Sequence, residues 1–400
     1  MSTQNPMGCV RSSSGSFFDV GGLTASQGPP CRLLPAMGFV LAAVAILLVA
    51  APQAQADVTW STSSGNWSVS SNWGGNLPGP SDEAYIINGG IAVITVSGAV
   101  CNDLYLGDAN SANSGTVQMS GSGSLSPTNN EYLGNYGAGT FTQSGGTNNV
   151  GNNNLYLGSN SVSSSGNGSY ALSGAGVLLA GQEYVGNYGT GTFSQSGGTN
   201  TIATSLYVAS SGSYTLSGSG VLSVGYGGEI VGNSGFGTFT QSGGTNTASY
   251  LTLSGGTYNL NGGALVVPGI QGTGNFNLGG GTLVLNSPYF STGQNMTLTG
   301  SGGSGNINTS GNMAMLSGTL SGSGGLNVFG GGTLTLAGSN TYSGGTSISG
   351  SSTLLLNNAS AVQNSTVNIS ADSSLSFDTG SGAIATFYLG GLTGSGGFSL

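Results

Sequence analysis

The chain has 400 residues, of which 79 are glycine and only 3% are charged, with a formal net charge of −9 and no histidine. Both basic residues, Arg11 and Arg32, precede the apolar run at 38–51, so the chain beyond that run carries acids and no cation. Such a surface cannot neutralise phosphates, which excludes ordinary nucleic-acid binding and attraction to anionic lipid. Without histidine there is no Ser-His-Asp or Cys-His catalysis. Zinc lacks its usual ligands, and a phosphate loop lacks its lysine. No cofactor or metal is expected.

Residues 1–56 read as a signal peptide. Met37–Ala51 has the length of a signal core and is short for a membrane span. It leads to Ala54-Gln55-Ala56, a small-x-small cleavage pattern, with Asp57 as the expected mature start. An uncleaved anchor is the alternative. Cleavage removes Cys9 and Cys31 and leaves Cys101 alone, expected to be a small buried residue. The expected destination is the cell surface or the extracellular medium, and no part of the mature chain is expected to enter a membrane.

Residues 57–100 hold all three tryptophans, Trp60, Trp67 and Trp73. Two readings stand side by side. The tryptophans close the open end of a repeat array, which needs a cap, or they stack on sugar rings as a glycan-binding module. The stretch 84–87 reads as the first strand.

Residues 101–250 are built on one block written three times. Glu131–Asn149 is EYLGNYGAGTFTQSGGTNN, and Glu183–Thr201 and Glu229–Thr247 repeat it with few changes. Looser units beginning at Leu104, Leu155 and Leu206 alternate with the blocks. The merged unit of about 20–28 residues marks a solenoid, in which each coil buries its apolar face against its neighbours. In Gly139-Thr140-Phe141-Thr142-Gln143 polar and apolar residues alternate, placing Phe141 on one face and threonine on the other. Phe141, Phe193 and Phe239 are therefore expected one above another inside the solenoid, in alternate coils. Gly-Gly pairs supply the positive φ that sharp corners need. Low charge and high glycine content would also suit disorder, but disorder does not require apolar residues in register. Glu131, Glu183 and Glu229 recur at one position, roughly 10 Å apart at the strand spacing. Identical copies do not create the dissimilar environments that a carboxylate pair needs for catalysis, so an enzyme is not expected, and a polysaccharide-cleaving β-helix is the remote alternative.

Residues 251–400 change dialect. Gly330–Asn358 (GGGTLTLAGSNTYSGGTSISGSSTLLLNN) closely resembles the autotransporter-associated β-strand repeat, with Ser351-Ser352 standing where the repeat has glycine. The resemblance implies a β-helical passenger exported to, or beyond, the outer membrane of a Gram-negative-type bacterium. The phrase 392–400 begins such a unit again, so the chain is expected to continue past Leu400. The resulting expectation is an all-β chain, a parallel β-helix or solenoid of short Gly-rich coils. About 13 coils from Leu104 would span roughly 60 Å. Its expected role is structural or adhesin-like, with glycans or other surface proteins as partners and no oligomeric state implied.

Overall fold

A computed structural model describes residues 56–158, 166–209, 211–233, 235–372, 374–380 and 384–398. These residues are nearly all β and wind into a parallel solenoid of about 14 turns. A full coil carries three short strands, each paired with its counterparts in the coils before and after. Glu131–Leu133, Ala138–Gln143 and Thr147–Asn149 thus pair with Asn154–Leu157, Asn167–Leu172 and the start of Val177–Val185. The period of two decides what goes inside. In Ala138–Gln143 the residues Gly139, Phe141 and Gln143 are buried, while Thr140 and Thr142 are only half-buried.

The three phenylalanines lie where their repetition placed them, each fully buried. Register sets Phe141 against Tyr170 and Tyr170 against Phe193. The series continues through Tyr214, Phe239 and Tyr258 to Phe276, with ring centroids 4.6–5.6 Å apart and planes within 9° of parallel. Offset parallel rings contribute about 0.5–1.5 kcal/mol per pair beyond the area they bury.

At the corner of each of the three blocks it is the second glycine of the Gly-Gly pair, Gly146, Gly198 or Gly244, that turns left-handed. Gly146 has φ 71°, and a Cβ there would stand 2.1 Å from the Gly123 carbonyl oxygen of the coil before. Conformation and space both demand glycine at this corner.

The solenoid begins before Leu104. Asp57–Thr59 and Ser64–Asn66 pair with Glu83–Ile86 and Ile91–Ile94, so the Trp-rich segment itself supplies rungs of the array. Val58, Ala84 and Leu104 share one inward column, a phase hidden in sequence because the early coils lack the LYLG phrase. A single 3-10 turn, Ser70–Trp73, interrupts the strands there.

Near Leu251 the dialect changes without a break in the ladder. Leu251–Leu253 pairs on both sides, with Gly228–Asn233 and with Ile270–Gly272. The discontinuity comes later, at Tyr289–Thr292, which opens a separate five-stranded sheet. Pro288 precedes that strand, and a proline has no N–H to give to a ladder. Across this seam the Thr292 hydroxyl donates to the Ile270 carbonyl at 2.8 Å.

Candidate functional site

Ala56 and Asp57 are exposed at the start of the first strand. Ala54, the apolar run, Cys9 and Cys31 lie outside the described residues. Cys101 is a free, buried thiol.

The tryptophans form a closed cluster. Trp60, Trp67 and Trp73 are 1%, 4% and 3% exposed. Trp73 packs edge-on against both others, at centroid distances of 4.9 and 4.6 Å, and its indole N–H donates to the Trp67 carbonyl at 2.8 Å. Covered rings leave no face for a sugar, which corrects the glycan-stacking alternative for these three residues. The cleft beside Trp67, walled also by Leu77, Pro78 and Val96, holds about 170 Å³. Small-molecule pockets usually hold roughly 300–1,000 Å³.

The repeated glutamates face inward. Their column reads Leu104, Glu131, Leu155, Glu183, Leu206, Glu229, Leu251, with glutamate in alternate coils. All three are fully buried, so none can reach a substrate. Each anchors the same set of hydrogen bonds. Asn148 Nδ2 donates to Glu131 Oε2 at 2.9 Å and to the Tyr170 hydroxyl at 3.3 Å. The Tyr170 hydroxyl donates to Gln143 Oε1 at 2.6 Å. Gln143 Nε2 donates to the carbonyls of Gly146 and Val177. Glu183, Asn200, Tyr214 and Gln195 repeat the set. So do Glu229, Asn246, Tyr258 and Gln241. Burial pushes the Glu131 carboxyl up to about 7, with Asn148 opposing the shift. Burial likewise raises Glu183 and Glu229 to about 8, against the pull of Asn200 and Asn246.

The surface carries a second aromatic ladder, which sequence reading missed. Tyr85, Tyr105, Tyr132, Tyr156, Tyr184 and Tyr207 stand one above another on the outer side of the same strands. Their ring centroids are 4.7–5.1 Å apart, with planes within 12° of parallel. Each is half-buried. The residue two places earlier in four of these coils points the same way and holds the hydroxyl. Asn130 and Asn154 donate to Tyr132 and Tyr156, and Tyr85 and Tyr184 donate to Glu83 and Gln182. Neighbouring rings cover each other's faces, so the stripe offers edges and hydroxyls rather than a stacking platform. The signal was present in the words EYLG and LYLG, whose tyrosine is out of phase with the inward Glu or Leu and Leu.

The middle strands of six successive coils present hydroxyls outward at one register position. Thr140, Ser169, Thr192, Ser213, Thr238 and Thr257 occupy one registered column. Among the described residues no cluster of His, Cys, Asp and Glu could hold a metal ion. Comparison with known protein families, with curated proteins and with solved structures finds no match to this chain.

Proposed function

We propose that the chain is an exported, non-catalytic β-solenoid of structural or adhesin-like type, displayed on or released from the surface of a bacterium in the manner of an autotransporter passenger. The observation that carries this reading is a regular outer surface in the early and central coils: a tyrosine stripe over six successive coils and a hydroxyl column over six, with no cation in the sequence after Arg32. Such a surface makes many small, equivalent contacts, which suits adhesion to glycans or surface proteins through multivalency. The burial of the repeated carboxylates favours a scaffold over a hydrolase, since the only recurring acids are withdrawn from solvent. The N-terminal pattern ending at Ala56 favours export.

The test is made in a bacterial host. Intact cells are treated with protease and the chain's N-terminus is sequenced. Surface exposure with Asp57 as first residue is the expected result, together with cell attachment that weakens when Tyr132, Tyr156 and Tyr184 are changed to serine. A chain retained inside the cell with its apolar run intact, and attachment indifferent to the tyrosines, contradicts the reading.

A further inference from the structure

The three buried hydrogen-bond sets leave the same two atoms without a partner in every copy. These are Oε1 of Glu131, Glu183 and Glu229, and Oδ1 of Asn148, Asn200 and Asn246. The orientation of every other group follows from the backbone outward. In the first copy, two carbonyls take both hydrogens of the Gln143 amide, so its Oε1 accepts the Tyr170 proton. The tyrosine oxygen is then an acceptor, and Asn148 Nδ2 faces it and Glu131 Oε2. That leaves Asn148 Oδ1, an acceptor, and Glu131 Oε1, the second oxygens of the two groups that the Nδ2–Oε2 bond joins, both buried and without a partner. A carboxylate oxygen is also only an acceptor. An ionised glutamate would leave both atoms buried and unsatisfied, at the full cost of their desolvation.

We propose that Glu131, Glu183 and Glu229 reside in the folded core as neutral carboxylic acids, each donating its Oε1 proton to the side-chain carbonyl of Asn148, Asn200 or Asn246 and so closing a two-bond acid–amide ring. The central coils are thereby locked by three protons. Loss of a proton from any of them puts an uncompensated charge inside the solenoid, because the sequence has no lysine, arginine or histidine after Arg32 to pair with it.

The groups facing these acids do not titrate in their place. Burial holds the phenols of Tyr170, Tyr214 and Tyr258 well above their usual range, and the nearby glutamates raise them further. Burial does the same for the Cys101 thiol, with added contributions from Glu131 and Asp103. Asp103 is raised by burial, while Asn130 and Asn129 bind its carboxyl and oppose the shift. Apolar Leu155 and Leu206 separate the glutamates from one another, and Leu104 and Leu251 flank the series.

The sign of the pH dependence follows. The folded state holds these protons more tightly than the unfolded chain, in which a glutamate titrates near ~4.3. Stability is full below that value and falls as pH rises to about 7 for Glu131 and about 8 for Glu183 and Glu229. Within that window each site shifts the unfolding equilibrium about tenfold per pH unit.

Glutamine has the shape of the protonated acid, with an N–H where the proton would be. The decisive experiment compares the full chain with its E131Q/E183Q/E229Q variant by hydrogen exchange of the central coils at about pH 5 and about pH 9, the two ends of the linkage window. The parent should lose protection at the higher pH, and the variant should keep it. Equal pH dependence in the two proteins, or none in the parent, overturns the proposal. Infrared spectroscopy of the unmodified protein gives a check that needs no variant. A carboxylic-acid carbonyl band should persist at about pH 6, above the ordinary carboxylate range, and its absence would overturn the proposal as well.

Discussion

Ser351 shows what a side chain costs at a left-handed corner. It sits at the corner before Thr353–Leu356 with φ 59°, in the left-handed region, where the resembled repeat carries glycine. A side chain there costs roughly 1–2 kcal/mol, partly offset by the greater freedom glycine has in the unfolded chain. Ser351→Gly is therefore expected to raise stability by up to about 1 kcal/mol, read as a shift in the urea midpoint; a lower midpoint would contradict the strain. The corner was readable in sequence because its neighbours spell the motif. The buried glutamates were not. Their charge argued for the surface, although the phase of Glu131 and Leu133 around an outward Tyr132 already placed them inside. Deciding between charge and phase required the asparagine, tyrosine and glutamine partners, and all three arrive from other strands. The tryptophans were ambiguous for a related reason: nothing in a single segment says whether an indole is covered by its own neighbours.

At the scale of the coil, two kinds of unit alternate because each completes the other. The block coil supplies Phe141, Gln143, Asn148 and Glu131, and the next supplies Tyr170, whose hydroxyl reaches back to Gln143. Two block coils stacked directly would set glutamates one strand spacing apart, about 4.8 Å, and would put a phenylalanine where Gln143 needs the Tyr170 hydroxyl. Interposed leucines double that distance. Phe193 lies between Tyr170 and Tyr214 in the aromatic column, so Phe193→Ala is expected to cost about 3–5 kcal/mol. The loss should concentrate in the adjoining coils, since repeats couple to their neighbours. Hydrogen exchange resolves this: protection falling near residues 170–214 and persisting at distant coils is the expected pattern, and uniform loss from end to end is the contrary one. The alternation of coil types was visible in the spacing of the blocks; the seam at Tyr289–Thr292 was not, because a change of wording at Leu251 preceded the structural break.

For the molecule as a whole, the absence of cations beyond Arg32 means that stability rests on packing and hydrogen bonds rather than ion pairs. Asp57, Asp82, Glu83, Asp103 and Asp108 gather in the early coils, so added salt should screen their repulsion and raise stability slightly, by less than about 1 kcal/mol. Destabilisation by salt, followed by thermal unfolding, would show that attractive charge pairs had been overlooked. The central claim, that looser coils intercalate between the blocks in strict register, is tested most directly by paired cysteines on the outer hydroxyl column. Thr140 and Ser169 are register partners in adjacent coils, and Thr192 follows in the coil after. Adjacent positions stand about 4.8 Å apart, within the roughly 4.4–6.8 Å Cα separation that a disulfide spans, and alternate ones lie beyond it. On mild oxidation T140C/S169C should cross-link and T140C/T192C should not. Cross-linking of the second pair alone would mean that the blocks stack directly on one another, and the alternating solenoid would be wrong.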